Sequence, residues 1–250
     1  MKKKTIQTAN RVFTITASTD FQLVESYKAL RTNLMFSLPV RENTHCRKIL
    51  FTSAGPGEGK TTTTVNLAIS LSETETKVLL IDADLRKPTV HRYFNLESRV
   101  GLSNLLSGMN TREECVQNIP DMPNLSVIPS GILPPNPSEL LSSSAMNNLL
   151  AEFENVYDYI IIDTPPVNVV TDALALVNRV DGVAFVTAYG KSALPEISKA
   201  VESLRFANAN LLGIVMNRVQ NERHAYGKRG YGSYSYKYKA YDMAADDSRA

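Results

Sequence analysis

Two carboxylates, Asp82 and Asp84, close the apolar run Val78-Leu79-Leu80-Ile81, downstream of a glycine-rich loop, Ala54-Gly55-Pro56-Gly57-Glu58-Gly59-Lys60-Thr61. Glycines in such a loop let backbone N–H groups turn inward toward phosphate oxygens, and a helix beginning at Lys60 aims its N-terminus at the same charge. Gly55, Gly57, Glu58, Gly59, Lys60, Thr61 and Thr62 are therefore the expected nucleotide-binding set. Within it, Lys60 reaches the β- and γ-phosphates, and the Thr61 hydroxyl ligates Mg²⁺. Residues spaced by two along an extended chain point the same way, so Asp82 and Asp84 can face one site. Held beside a triphosphate they need a cation between them, and Mg²⁺ supplies it. One carboxylate then holds metal-bound water while the other accepts a proton, which is most of what phosphoryl transfer asks of a protein.

A second acid, Asp163, ends the run Tyr159-Ile160-Ile161-Ile162. It is expected on the metal side, acting through water on Mg²⁺ or toward the γ-phosphate. The candidate catalytic residues are thus Asp82, Asp84, Lys60 and Asp163, and the candidate metal-side residues are Thr61, Asp84 and Asp163. Arg86 can anchor a carboxylate or a phosphate, or stand as an exposed cation. Asn217, at the end of the last apolar run, is either an adenine contact or a turn residue.

These groups need a scaffold, and the pattern supplies one. Leu23, Tyr27, Leu30 and Leu34 recur at helical spacing from an N-cap at Asp20 to about Phe36. Short apolar runs at Lys48 to Thr52, Val78 to Ile81, Leu125 to Ile128, Tyr159 to Asp163, Val183 to Val186 and Leu211 to Met216 read as buried strands. Helices are expected from Lys60 to about Ser72, from the Pro-rich loop at Leu133 to Pro137 as far as Asn155, and from Pro195 to Phe206. Short helices are expected between Arg86 and Pro120. The alternation predicts an α/β fold, a mainly parallel sheet with helices on both faces. Residues 1–19 read as an irregular lead-in, 20–219 as the catalytic domain, and 220–250 as a mobile tail too poor in aliphatic residues to build a core.

Composition narrows the class. The chain has 250 residues, with 27 Lys and Arg against 25 Asp and Glu, a near balance that selects no partner by net charge. Its two cysteines, Cys46 and Cys115, form no CxxC, which argues against a disulfide framework, a zinc site or a ligated cluster. No apolar stretch is long enough to span a bilayer, and the basic start lacks an apolar h-region. A cytoplasmic protein is expected. Six of the eleven tyrosines, Tyr226, Tyr231, Tyr234, Tyr236, Tyr238 and Tyr241, crowd into the tail among Gly, Ser, Lys and Arg. Spaced this way they are well presented to an active site as phosphoacceptors. A strip that sits on an anionic membrane or stacks on nucleic acid is the alternative.

Taken together, Ala54 to Thr61, Leu79 to Pro88, Gly101 to Gly108, Pro134 to Leu141, Ile160 to Pro166 and the tyrosine tail resemble the bacterial tyrosine kinases (BY-kinases) of capsule and exopolysaccharide synthesis. The resemblance is to the form whose kinase is a chain separate from its membrane activator. It implies a P-loop NTPase fold of the MinD/ParA-like type and ATP- and Mg²⁺-dependent autophosphorylation of the tail, mostly between neighbouring subunits. It also implies a transmembrane polysaccharide co-polymerase-like activator that recruits the kinase to the inner face of the membrane, a cognate tyrosine phosphatase, and no nucleic-acid partner. Asp82 becomes the first choice for the base, with Asp84 its metal-side partner or the reverse, and Asn217 gains support as the adenine contact. The helix carrying Glu25, Lys28 and Arg31 resembles the family's self-association segment, with Lys28 where the family usually has Arg, and implies a homo-oligomer, possibly ring-shaped. An ATPase switch of the partition and division-site group is the alternative. Its members typically carry a second lysine where this chain has Gly55.

Overall fold

The computed structural model describes residues 14–16, 19–38 and 46–219. The tail at 220–250 and most of the lead-in lie outside the described residues. Helix α1 (Phe21–Ser37) begins where expected, with the Asp20 carboxylate accepting the Gln22 N–H at 2.9 Å. Strand β1 (Arg47–Ser53) runs into the glycine-rich loop, α2 (Lys60–Ser72) follows, and β2 (Val78–Asp82) ends on the first acid. Then come α3 (Val90–Phe94), α4 (Leu102–Leu106), α5 (Arg112–Cys115), β3 (Gln117–Ile119) and β4 (Met122–Ile128). The chain continues through α6 (Pro137–Ser142), α7 (Ser144–Phe153), β5 (Tyr159–Asp163), β6 (Gly182–Ala188), α8 (Leu194–Phe206) and β7 (Leu211–Asn217).

The described strands form one seven-stranded sheet in the order β3-β4-β2-β5-β1-β6-β7, parallel except where β3 meets β4. The apolar runs of β2, β5, β1 and β6 are continuous because both faces are covered there, and alternate residues divide between two cores. Leu79, Ile81, Ile160 and Ile162 pack on one side against Met146, Leu150 and Phe153 of α7 and Leu204 of α8. Val78, Leu80, Ile161 and Phe51 pack on the other against Val65, Leu67 and Leu71 of α2, with Leu34 of α1 behind them.

Three local expectations are corrected. The single helix read from the Pro-rich loop to Asn155 is two, broken at Ser143, which caps α7 with its hydroxyl toward Met146 N–H. The carbonyls freed at the break go to Arg179, whose guanidinium donates to Leu141 O at 2.6 Å and Ser143 O at 3.2 Å. The stretch before Pro120 ends in the antiparallel edge strand β3 rather than in helix. Three polar-leaning residues carry no period, and pairing with β4 alone makes them a strand. Finally, Leu211 to Met216, read as a buried strand, is the edge strand β7: among the described strands it pairs only with β6, and it leaves Ile214 and Met216 more than half exposed.

Candidate active site

Strand order decides which side chains meet. Placing β5 between β1 and β2 sets Phe51 and Asp82 on either side of Asp163 in register. The carboxyl ends of β2 and β5 and the loop after β1 therefore open onto one place, as in open α/β sheets generally. Gly59 takes φ +87 at the loop's exit, and a Cβ there would lie 1.7 Å from Asn217 Nδ2, so only glycine fits.

Asp163 is fully buried and uses both oxygens: Oδ1 accepts from Lys60 Nζ at 2.9 Å and Oδ2 from the Thr61 hydroxyl at 2.6 Å. Asp82 is equally buried, its Oδ2 accepting the backbone N–H of Thr89 at 3.2 Å and of Val90 at 3.1 Å. Asp84 lies nearer the surface, with Oδ1 accepting Lys87 N–H at 3.0 Å and Arg86 N–H at 3.3 Å. Three acids thus converge where Lys60 is the cation in contact. Burial, and then the charge of Asp163, push the Asp82 carboxyl up to about 8. That is the electrostatic mark of a site lacking positive charge. Among the described residues no three His, Cys, Asp or Glu side chains are placed to hold a metal alone. This suits Mg²⁺, which keeps several waters and takes its remaining ligands from one or two carboxylates and a nucleotide's phosphates. The residues present fit that ion: Thr61, Asp84 and Asp163 would hold it.

A titration follows from the Asp82 environment. Between its ordinary value of 3.8 and about 8, folded Asp82 keeps a proton that the unfolded chain has released. Stability therefore falls as pH rises through that window and levels off above it. Thermal unfolding of nucleotide-free protein should show melting temperature dropping from pH 5 to 8, and the Asp82→Asn variant should flatten the slope. An unchanged slope in that variant would contradict the assignment.

Other candidates have partners of their own. The Glu58 carboxylate ties the loop to the end of β6, accepting Ala188 N–H at 2.5 Å and the Ser192 hydroxyl. Glu58 can therefore meet a phosphate only through its backbone. Thr62 shares a hydrogen bond with Tyr93 OH at 2.7 Å. Asn217 donates from Nδ2 to Glu58 O at 3.2 Å and accepts Arg218 N–H at 2.8 Å, so it sits over the loop with both polar atoms engaged. In α1, Lys28 pairs with Glu25 at 2.7 Å, while Arg31 donates to Ser70 O at 2.5 Å on α2.

Sequence reasoning missed Asp172, Ser138 and Lys191. Arg86 is a carboxylate anchor: Nε and Nη2 grip the buried Asp172 at 2.8 and 3.0 Å, and Ser138 donates to the same acid. This fork braces the turn that carries Asp84. Lys191 Nζ crosses the loop to Pro56 O at 2.5 Å. Neither partner has a local signal, since each is brought in by a distant segment.

The profile of the family described as AAA domain matches residues 46–211. The chain is 43% identical over 207 residues to the tyrosine-protein kinase YwqD of Bacillus subtilis, covering 82% of this chain and 86% of that protein. It is similar to the crystal structure of the chimerical protein CapA2B2, with TM-score 0.74 and 38% identity over 79% of this chain and 85% of the other. It is also similar to the Pyrococcus furiosus cell division ATPase MinD, with TM-score 0.60 and 26% identity over 71% of this chain and 74% of the other.

Proposed function

The chain belongs to the bacterial tyrosine-protein kinases built on a P-loop fold related to MinD, and we propose that it transfers the γ-phosphoryl group of ATP to tyrosines in its own C-terminal tail. The observation that carries this reading is the kinase-length match to YwqD, in a chain where Lys60, Thr61, Asp82 and Asp163 meet at adjoining strand ends. Mg²⁺, when bound, neutralises the phosphates and the acids around them. Lys60 holds the β- and γ-phosphates, releasing Asp163 toward the metal side together with Thr61 and Asp84. Asp82 takes the tyrosyl proton, the phenol oxygen bonds to the γ-phosphorus, and the bond to the β–γ bridging oxygen breaks, leaving ADP. A phenol has a pKa near 10, so a carboxylate base in a dry site helps it attack at neutral pH.

Charge supports the choice of acceptor. From Arg223 to Tyr241 the tail carries Lys and Arg and no acid, so it is attracted to an acidic, ATP-loaded site. Each phosphate adds about −1.5 to −2 charges, so about three of them cancel the five Lys and Arg of that segment and reverse the attraction. Self-association through Glu25, Lys28 and Arg31 would bring one copy's tail to another's site, and phosphorylation would then loosen the assembly. The chimerical relative, fused from two named parts, is in keeping with a membrane activator for this chain. Among the described residues no helix is long and apolar enough to cross a membrane, so we place this kinase at the inner face of the membrane through that activator. A cognate phosphatase would reset it, and polysaccharide synthesis is the process it would regulate.

The test is to incubate the purified chain, with its activator's cytoplasmic segment, in Mg²⁺ and ATP and to map phosphate by mass spectrometry. Phosphate is expected on several of Tyr226, Tyr231, Tyr234, Tyr236, Tyr238 and Tyr241. Steady ATP consumption with those tyrosines bare would instead make this a MinD-like hydrolytic switch.

A further inference from the structure

Beside the acidic site lies an open groove of about 570 Å³ that the chemistry above does not use. It runs along the segment after Asp84 and the start of α3 and is closed on the far side by Ser130, Gly131 and Leu133. None of its lining residues is an acid. Among the described residues, the Lys87 ammonium and Arg92 guanidinium have no carboxylate partner, whereas Arg86 is neutralised by Asp172. His91 lines the same groove, and its Nδ1 is buried without a hydrogen bond. Pro88 and the half-exposed Leu133 add apolar surface. Its volume falls in the ordinary range for ligand clefts.

Two unneutralised cations beside apolar surface suit an anion carried on an aromatic ring. We propose that this groove is a phosphotyrosine site that receives a tail tyrosine after its phosphorylation; the proposal rests on the reading that tail tyrosines are the acceptors. The occupant is selected by charge. The unmodified segment from Arg223 to Tyr241, with five Lys and Arg and no acid, is repelled by Lys87 and Arg92, whereas a phosphotyrosine in it presents about −1.5 to −2 charges to them at the ring itself. Position favours it too. Thr89, which lines the groove, belongs to the same backbone that holds Asp82 Oδ2, so a tyrosine leaving the acids meets the groove next. A tail anchored there by one phosphate keeps its remaining tyrosines at the site, so several are modified per encounter.

The experiment uses the full-length chain with all six tail tyrosines changed to Phe, so that it cannot occupy its own groove with phosphate. A fluorescent peptide of residues 230–242 carries phosphate on Tyr234, Tyr236 and Tyr238, and binding is read by anisotropy at about 0.15 M salt. The phosphopeptide should bind at least about ten-fold tighter than the unmodified peptide, and a chain also carrying Lys87→Gln and Arg92→Gln should lose at least about ten-fold. Unchanged nucleotide affinity in that variant shows that it is folded. Equal binding of the unmodified peptide, or of one with Glu in place of the phosphotyrosines, overturns the proposal. So does undiminished binding by the Lys87/Arg92 variant, or displacement by inorganic phosphate at the peptide's own concentration. Because the phosphate is introduced synthetically, a negative result here is separate from failure of the kinase reading, which the mass-spectrometric mapping decides.

Discussion

Lys60→Met should lower tail phosphorylation by at least about 10³-fold, some 4 kcal/mol of transition-state stabilisation, while leaving the fold intact at mildly acidic pH. The Lys60 ammonium is almost wholly buried and meets Asp163 at 2.9 Å, so it is already desolvated and aimed. Methionine keeps the packing of the stem and removes the charge. Two consequences separate in measurement. Transfer fails because nothing holds the β- and γ-phosphates against the buried acids. Stability near pH 8 also falls, by about 3 kcal/mol, because Asp163 loses its buried counter-charge and keeps only the Thr61 hydroxyl. That loss should shrink as pH is lowered and Asp163 takes up a proton, which a series of thermal melts would show. Transfer within ten-fold of the parent chain would remove Lys60 from the mechanism.

The acid pair gives the second large effect. Asp82→Asn should cost about 10² to 10⁴ in transfer, the range for losing a positioned base, with little change in the Mg²⁺ requirement. Asp84→Asn should act differently. Asp84 is the more accessible of the two, with one oxygen committed to backbone N–H groups, so its loss should raise the Mg²⁺ concentration needed and be partly rescued by excess metal. Single-turnover transfer measured across a Mg²⁺ titration distinguishes them. If the rescue appears in Asp82→Asn and not in Asp84→Asn, the two roles are exchanged. In the nucleotide-free chain Asp82→Asn should be as stable as the parent or more stable at pH 8, since a buried charge facing Asp163 is gone.

The fold related to MinD and the kinase relationship pull in different directions, and the distinction rests on particular residues. The loop and the strand-end acids serve either a hydrolase or a kinase, because both need a held phosphate and a neutralised acid site. Gly55 stands where the partition and division-site switches typically place a second lysine, and under the proposed reading the tyrosine tail would offer an acceptor other than water. The likeness to MinD therefore speaks to architecture, whereas the 43% match to YwqD speaks to chemistry.

Features whose physics is local were legible in the sequence. Gly59 at positive φ, Lys60 opening α2, the Asp20 cap of α1 and the acids closing β2 and β5 all follow from short stretches of chain. The central strands β1, β2, β5 and β6 announced themselves because both sheet faces are covered there, which forbids polar interruptions, whereas β7 reads alike in sequence and yet lies exposed at the edge. Contacts between distant segments were not legible. Nothing near Arg86 indicates that Asp172 will receive it, nothing near Pro56 indicates Lys191, and Asn217 reaches Glu58 only because β7 lies beside β6. The edge strand β3 exists only by pairing with β4, and the break at Ser143 leaves carbonyls that a remote arginine takes up. The sequence by itself therefore determined that a lysine opens α2, that acids close β2 and β5, and which elements carry them. Strand order, set by long-range packing, alone decided that Asp82 and Asp163 stand side by side in one desolvated site and that a cationic groove adjoins it.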